Sequence, residues 1–445
     1  MDGSDAKDLV RPKTTVHITN YYHENSGGVR TNYDRLIAAA NRLKRNVVLI
    51  VPGETNELER VGEFGKIYRV AAKKSPVFDK RYRLMLPFHY LPGESPIRKI
   101  LIDEMPDIIE IYDNYSLTLL AGVIRKGKLK QLNRPMLVYF TGERFDTIFK
   151  SYVSKGKIGD LFPRAFMANY NLPMFDYFIA NSEFVAEELY TAFEKAGTKG
   201  IGKRLLARSR KFFKAGDGAF RDRVAICPRG VDTDFFTPEK RSKEFRKLIC
   251  EKAGIPIDSK IVMTSTRLSP EKNIDVLPQV MESIGATGAD NVRMIVAGDG
   301  PRKEFLQSES EKLCPGKLVL IGHINKEELA NYYANCDVFL HPNPREPFGN
   351  VGLEALSSGA ACVFPNAGGT LTYANDENSW ISEPSAEGFA GSIISALEDG
   401  EIREAKQHLA RETALENNQI RAIDRLFETY DRMYAEFAPT REAVN

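Results

Sequence analysis

Two doubly wound α/β domains are what this sequence predicts, on three observations. Its 445 residues exceed the size at which a single hydrophobic core stops growing. Short β-branched runs alternate with helix-period segments along most of the chain, the beat of right-handed βαβ units and parallel sheets. That beat comes in two series of similar length, the second starting near residue 225.

The elements follow in order. Residues 14–20 alternate apolar and polar and run into a loop, Tyr21 to Gly28, before a helical segment through Leu36, Ile37, Ala40 and Leu43. Val47-Val48-Leu49-Ile50-Val51, closed by Pro52-Gly53, reads as a parallel strand buried on both faces. Ile108–Ile111, Met136–Phe140 and Tyr177–Ala180 repeat it. The second series is Val224–Cys227, Ile261–Thr264, Arg293–Ala297, Leu318–Ile321, Val338–Leu340 and Ala361–Phe364. A closing helix, Ile420 to Phe437, puts Ile423, Leu426, Phe427, Tyr430 and Tyr434 on one face. The expected domains are 1–225 and 226–419, with 420–445 packing back on the first.

Composition narrows the function. Apolar residues are 42% and charged residues 27%, which excludes wholesale disorder. Lys+Arg 62 against Asp+Glu 60 leaves a net charge of +2, so no bulk nucleic-acid partner is expected. The five cysteines stand singly and read as buried residues of a reducing compartment. The six histidines form no HExxH or other ligand spacing, so no metal is expected. Met1 to Asp8 is polar, and no stretch approaches eighteen apolar residues. These features predict a cytoplasmic protein.

The informative motif follows strand Val338–Leu340. His341-Pro342-Asn343-Pro344-Arg345 leads to Glu346-Pro347-Phe348-Gly349-Asn350-Val351-Gly352-Leu353-Glu354, and a helix starts near Gly349. Its N-terminus offers free amides and a positive dipole end to an anion. Glu346 in the loop and Glu354 about two turns into the helix can accept hydroxyl hydrogen bonds on either side of that anion. A sugar and a ribose flanking a diphosphate fit this; two solvated glutamates are the plain alternative.

The sequence resembles the retaining glycosyltransferases of family four, of the GT-B fold. Glu346 and Glu354 match the family's Glu-x7-Glu signature with the intervening Phe-Gly. Arg267-Leu268-Ser269-Pro270-Glu271-Lys272 matches its Gly-Arg-Leu…Glu-Lys segment, with Thr266 in place of glycine. Ala297-Gly298-Asp299-Gly300-Pro301, Ile321-Gly322-His323 and Ala367-Gly368-Gly369 match three further turns, and Gly27-Gly28 its glycine-rich loop. The match runs in order from there to Trp380. It implies two Rossmann-like domains facing across a cleft, with donor and acceptor bound between them.

By that resemblance, Arg267 and Lys272 clamp a donor diphosphate, a role that suits cations where a leaving group gains charge. Glu354 holds the ribose, and Glu346, with Arg267 and Lys272, acts at the transferred sugar. Gly27, Gly28, Gly298, His323, Ile324, Phe348, Gly349 and Asn350 line the donor. Asp232-Thr233-Asp234 imitates a metal-binding DxD but falls in the segment entering the second domain, so a structural role is expected. Asp299-Gly300 belongs to no complete GxGxxG, which disfavours hydride transfer.

Where relatives often carry histidines, this chain has Thr141 and Glu110, which points away from a histidine-assisted step. Thr141, Glu143 and Asp146 are the candidates for orienting an acceptor. Between Glu194 and Arg223 ten cations face three acids, and Ile201, Leu205 and Phe212 share a helical face. A basic amphipathic helix of this kind fits an anionic membrane surface, with 195–214 as the contact. Residues 73–90 mix Lys73, Lys74, Lys80, Arg81 and Arg83 with Tyr82, Leu84, Met85, Leu86 and Phe88 in a similar way.

The expectation is a metal-independent, retaining glycosyltransferase without cofactor, using a nucleotide-diphosphate sugar. Its acceptor is a lipid or lipid-linked glycan at the inner face of the cytoplasmic membrane. A small soluble sugar or sugar phosphate is the first rival acceptor. A nucleotide-sugar epimerase, a phosphorylase and a non-catalytic nucleotide-sugar binder are the rival classes.

Overall fold

The computed structural model describes residues 12–23, 28–75, 82–152, 156–196, 200–215 and 219–442. The chain divides into two units, one ending at Cys227 and resuming at Ile423, the other spanning Pro228–Ala422.

The first unit holds an eight-stranded sheet. Its strands are β1 (Thr14–Thr19), β2 (Asn46–Gly53), β3 (Glu57–Val61), β4 (Gly65–Ala71), β5 (Ile108–Tyr112), β6 (Met136–Thr141), β7 (Tyr177–Ala180) and β8 (Val224–Ile226). The order is β3-β4-β2-β1-β5-β6-β7-β8, parallel except for the β3–β4 pair. Burial on both faces explains the continuous apolar runs. Val48 and Ile50 join one core with Ile109, Ile111 and Tyr139. Val47, Leu49 and Val51 join the other with Ile108, Val138 and Phe140.

That second core is closed by the helix Gln419–Glu442, which places Ile423, Leu426, Phe427, Tyr430 and Tyr434 in it. Tyr434 donates to Asp107 Oδ1 at 3.0 Å, Tyr430 donates to Glu110, and Arg42 and Arg45 pair with Asp424 and Asp431.

The sheets differ from the sequence expectation in their details. Val224–Ile226 pairs with β7, Phe178 opposite Val224, so it ends the first sheet instead of opening the second; a three-residue apolar run carries no signal of which sheet it joins. The β3–β4 hairpin was not expected, because β3 is exposed along most of its length and its charged residues mask the strand pattern.

The second unit holds β9 (Lys260–Ser265), β10 (Val292–Ala297), β11 (Leu318–Gly322), β12 (Val338–Leu340), β13 (Ala361–Pro365) and β14 (Trp380–Ser382). Their order is β11-β10-β9-β12-β13-β14, all parallel. The chain works outward from β9 to β11, then returns to β12 on the other side. Direction therefore reverses between β9 and β12, and the loops leaving those two strands splay apart into a crevice, where open α/β sheets bind ligands.

Candidate functional site

The loops at the carboxyl ends of the second sheet carry the predicted donor residues. Strand β12 passes into the loop that holds Glu346, whose backbone carbonyl accepts from Gly369 N–H at 2.7 Å. This brings the loop after β13 against the loop after β12, backbone to backbone. A Cβ on Gly369 would lie 1.7 Å from Pro347 O, so only glycine fits there. Gly349, at φ +77, turns the chain into the helix Asn350–Ser357 without a side-chain cap, leaving the first amides of that helix to water or an anion. Tyr373 Oη pins the turn by donating to Gly349 O at 2.6 Å.

Glu346 stands at the crevice. Lys272 Nζ, from the loop after β9, donates to both its oxygens at 3.2 and 2.9 Å, and Asn343 Nδ2 donates to Oε2 at 3.0 Å. Burial alone would raise this carboxyl, but the Lys272 cation outweighs it and holds the group at about 2. The neighbouring His341 is pushed down to about 4 by burial, against the attraction of Glu346. Asn273, left-handed at φ 55, anchors the Lys272 loop by donating to Pro342 O at 2.8 Å.

The other predicted donor residues lie on the same rim. Arg267 is exposed. Gly298 N–H donates to Gly322 O at 2.8 Å, tying the turn after β10 to the end of β11, beyond which His323 is exposed and Ile324 half-buried. Glu354 is half-buried little more than one turn into its helix, closer to the helix start than the two turns expected. Phe348 packs its ring on Tyr373 at 5.3 Å and is 3% exposed, so only its backbone faces the crevice side of the loop.

Asp232 Oδ1 accepts from Phe235 N–H at 3.1 Å and Thr233 Oγ1 accepts from Asn418 Nδ2 at 2.6 Å. Asp232 thus caps its own turn, and Thr233 ties the segment entering the second unit to Asn418 near that unit's end.

In the first unit, Gly28 opens the helix Gly28–Leu43; Gly27, Lys80, Arg81 and residues 197–199 lie outside the described residues. Thr141 ends β6, and its hydroxyl donates to Glu143 O at 3.0 Å. Glu143 is exposed. Asp146 pairs with Arg144 at 2.7 Å; burial opposes ionisation, yet the guanidinium lowers its carboxyl overall. Glu110 is not at the carboxyl end of a strand. It is central in β5 and faces the closing helix, with Oε1 3.0 Å from His17 Nδ1. The carboxylate at the end of β5 is Asp113, which accepts from Asn20 Nδ2 at 3.1 Å and from three backbone amides.

Sequence reasoning passed over Glu188 as well. It is buried on the helix Glu183–Ala196, and its carboxyl accepts from Phe145 N–H at 2.9 Å and Asp146 N–H at 2.6 Å. Burial, then Asp146, raises it to about 7. Nothing in the periodicity of that helix distinguishes Glu188 from its other glutamates.

The model of the family described as glycosyl transferases group 1 matches residues 245–413. The chain is 27% identical over 353 residues to a GDP-mannose-dependent alpha-(1-6)-phosphatidylinositol dimannoside mannosyltransferase of Mycobacterium tuberculosis (strain ATCC 25177 / H37Ra), covering 78% of each chain. It is 25% identical over 371 residues to a GDP-mannose-dependent alpha-mannosyltransferase of Corynebacterium glutamicum, covering 83% of this chain and 76% of that one. A glycosyltransferase crystal structure from Rickettsia africae ESF-5 superposes with a TM-score of 0.64 at 17% identity, over 95% of this chain and 98% of that one. Two parallel doubly wound sheets and a motif set at the switch point of the second agree with these matches: residues 245–413 are similar to the group 1 glycosyl transferases, and the chain has the GT-B fold.

Proposed function

We propose that the chain transfers a hexose from a nucleoside-diphosphate sugar to an acceptor hydroxyl with retention of the α configuration. The observation that carries this is the meeting of Lys272 and Glu346 at the switch point, beside the uncapped helix Asn350–Ser357. Lys272 and Arg267 draw the diphosphate, and the helix amides take its remaining oxygens. Glu354 takes the ribose, and Glu346 faces the sugar. The bond from the anomeric carbon to the diphosphate oxygen breaks as the acceptor oxygen attacks from the same face. The acceptor's proton passes to the leaving phosphate. Charge growing on that phosphate is met by two cations and a helix terminus, so the step needs no metal. Relatives named for GDP-mannose make a guanine nucleotide the first donor to try.

The proposed acceptor is a lipid or lipid-linked glycan, and the contact with its membrane is the helix Gly200–Phe213. Its Ile201, Leu205 and Phe212 are 76%, 51% and 57% exposed, flanked by Lys203, Arg204, Arg208 and Lys211. Arg125 Nε donates to Phe213 O at 2.7 Å and Lys126 Nζ to Phe212 O at 2.8 Å, so the helix is held at its carboxyl end, where Lys126 also lies over the Phe212 ring at 4.4 Å, while Ile201 and Leu205 stay exposed. No helix among the described residues is long and apolar enough to cross a membrane. At this membrane the protein is peripheral, on the cytoplasmic side.

A thermal-shift screen against GDP, UDP, ADP and their sugar conjugates in EDTA tests the donor site. Ligand at a hundred times its dissociation constant adds about 2.7 kcal/mol of stability; no shift with any of them rejects the reading.

A further inference from the structure

Beside Lys272 and Glu346 stands a third titratable group, His341, that neither motif nor spacing singled out. It is the first residue after β12, and its backbone N–H donates to Val363 O at 3.0 Å, which fixes where its side chain starts. The imidazole is 6% exposed. Asn343 N–H points at Nδ1 from 3.4 Å, making Nδ1 the acceptor and leaving the ring proton on Nε2. Nε2 lies 3.8 Å from Glu346 Oε2. That is longer than a hydrogen bond, and contacts of this kind tighten when substrate arrives.

The partners of Glu346 differ in how well they can stay. Lys272 is long, 26% exposed and charged, and on the donor-site reading the diphosphate claims it. Once it turns to phosphate, the carboxylate loses its strongest tie at the moment its aim matters. His341 is buried and anchored through its own strand end.

We propose that His341 is a positioning residue for Glu346: in the donor-bound state its Nε2–H closes on Glu346 Oε2 and, with Asn343, keeps the carboxylate turned to the transferred sugar. This rests on the donor-site reading. A neutral partner suits the task, because it orients a carboxylate without cancelling the charge that stabilises a developing positive anomeric centre. The depressed imidazole, near 4 through burial, supplies that neutrality at pH 7.

The test is nitrogen-15 NMR of the six histidines in the full chain, with His341 assigned by His341→Gln, before and after saturation with GDP or UDP. The expected result is a neutral Nε2–H tautomer from pH 6 to 8 whose proton moves downfield with nucleotide. In parallel, release of nucleotide from GDP-mannose or UDP-glucose onto water is followed in two variants. His341→Phe is expected to slow turnover about 10- to 100-fold, the worth of one hydrogen bond to a charged group, with the donor KM within about twofold. His341→Gln, which keeps an N–H, recovers most of the loss. Equal losses in both variants, an Nδ1–H tautomer, or nucleotide binding without movement of the His341 resonance would each overturn the proposal while leaving the donor site standing. Absence of any nucleotide binding removes the donor-site reading and this inference with it.

Discussion

Lys272 Nζ lies 2.9 Å from Glu346 Oε2 although 74 residues separate them. The loops after β9 and β12 diverge from adjacent strands of the sheet, and the ion pair spans the gap between them. With 26% and 15% of the two side chains exposed, water still reaches the pair, so it is weaker than a sealed ion pair. On the proposed donor-site reading, a diphosphate would compete with Glu346 for the same ammonium.

Glu346→Gln should leave the fold intact and lower sugar transfer about 10²- to 10³-fold, the usual loss when a preorganised charged group is removed from a reacting centre. Because it releases Lys272, nucleotide diphosphate should bind as tightly as before or tighter. Calorimetric titration with GDP or UDP beside an initial-rate assay checks both. Loss of binding together with rate would mean that Glu346 builds the loop and does not act at the sugar.

Gly369→Ala should detach the loop after β13 from the loop after β12. The added Cβ would sit 1.7 Å from Pro347 O, so the Gly369 N–H to Glu346 O bond must break. We expect a loss of about 2 kcal/mol or more in stability, as for other overpacked sites, and weaker nucleotide binding. Gly391→Ala is the control: that helical position has no atom within 4 Å of the added carbon, so it should be neutral or gain up to about 1 kcal/mol. Urea unfolding of both variants decides it.

How much of this was legible in the residues varies with how local the determining physics is. Val47 to Val51 announces a strand because two-sided burial makes every position apolar, and Tyr430 and Tyr434 announce the closing helix by their spacing. Glu346 and Glu354 are legible because one loop-helix turn sets their separation. His341 and Glu188 were not. Each takes its character from what the fold places around it, burial at the end of β12 for the one and burial beside the Asp146 carboxylate for the other. Glu110 misled for the same reason, since its place in the middle of β5 depends on where that strand ends.

Stability should carry two opposing pH dependences that single substitutions separate. Glu188 is raised from 4.5 to about 7 by burial and then Asp146. Between those values the native state keeps a proton that the unfolded chain has lost, so its contribution to stability falls as pH rises, by at most about 1.4 kcal/mol per pH unit. His341 is lowered from 6.5 to about 4, chiefly by burial. Between those values the unfolded chain holds the extra proton, so this contribution rises with pH and is lost as pH falls toward 4. Denaturant unfolding from pH 4.5 to 7.5 should therefore show a steeper upward slope in Glu188→Gln than in the wild type. His341→Gln should tilt the other way. Parallel curves in all three proteins would contradict both assignments.

The exposed face of Gly200–Phe213 should bind anionic vesicles through apolar contact as well as charge. Ile201 is 76% exposed and Leu205 51% exposed, so replacing them with serine removes no core packing and should leave the melting temperature unchanged. Inserting two such side chains into an interface is worth a few kcal/mol at about 25 cal/mol per Å², so Ile201→Ser with Leu205→Ser should cut partitioning onto phosphatidylglycerol vesicles at least about tenfold. Salt at 0.5 M should weaken the wild type by screening the lysines and arginines, and vesicles of neutral lipid should bind least. Transfer to a short soluble acceptor analogue should survive the double substitution, because none of the residues assigned to the donor lies on this helix. Equal sedimentation of wild type and variant with anionic vesicles would remove this helix as the contact.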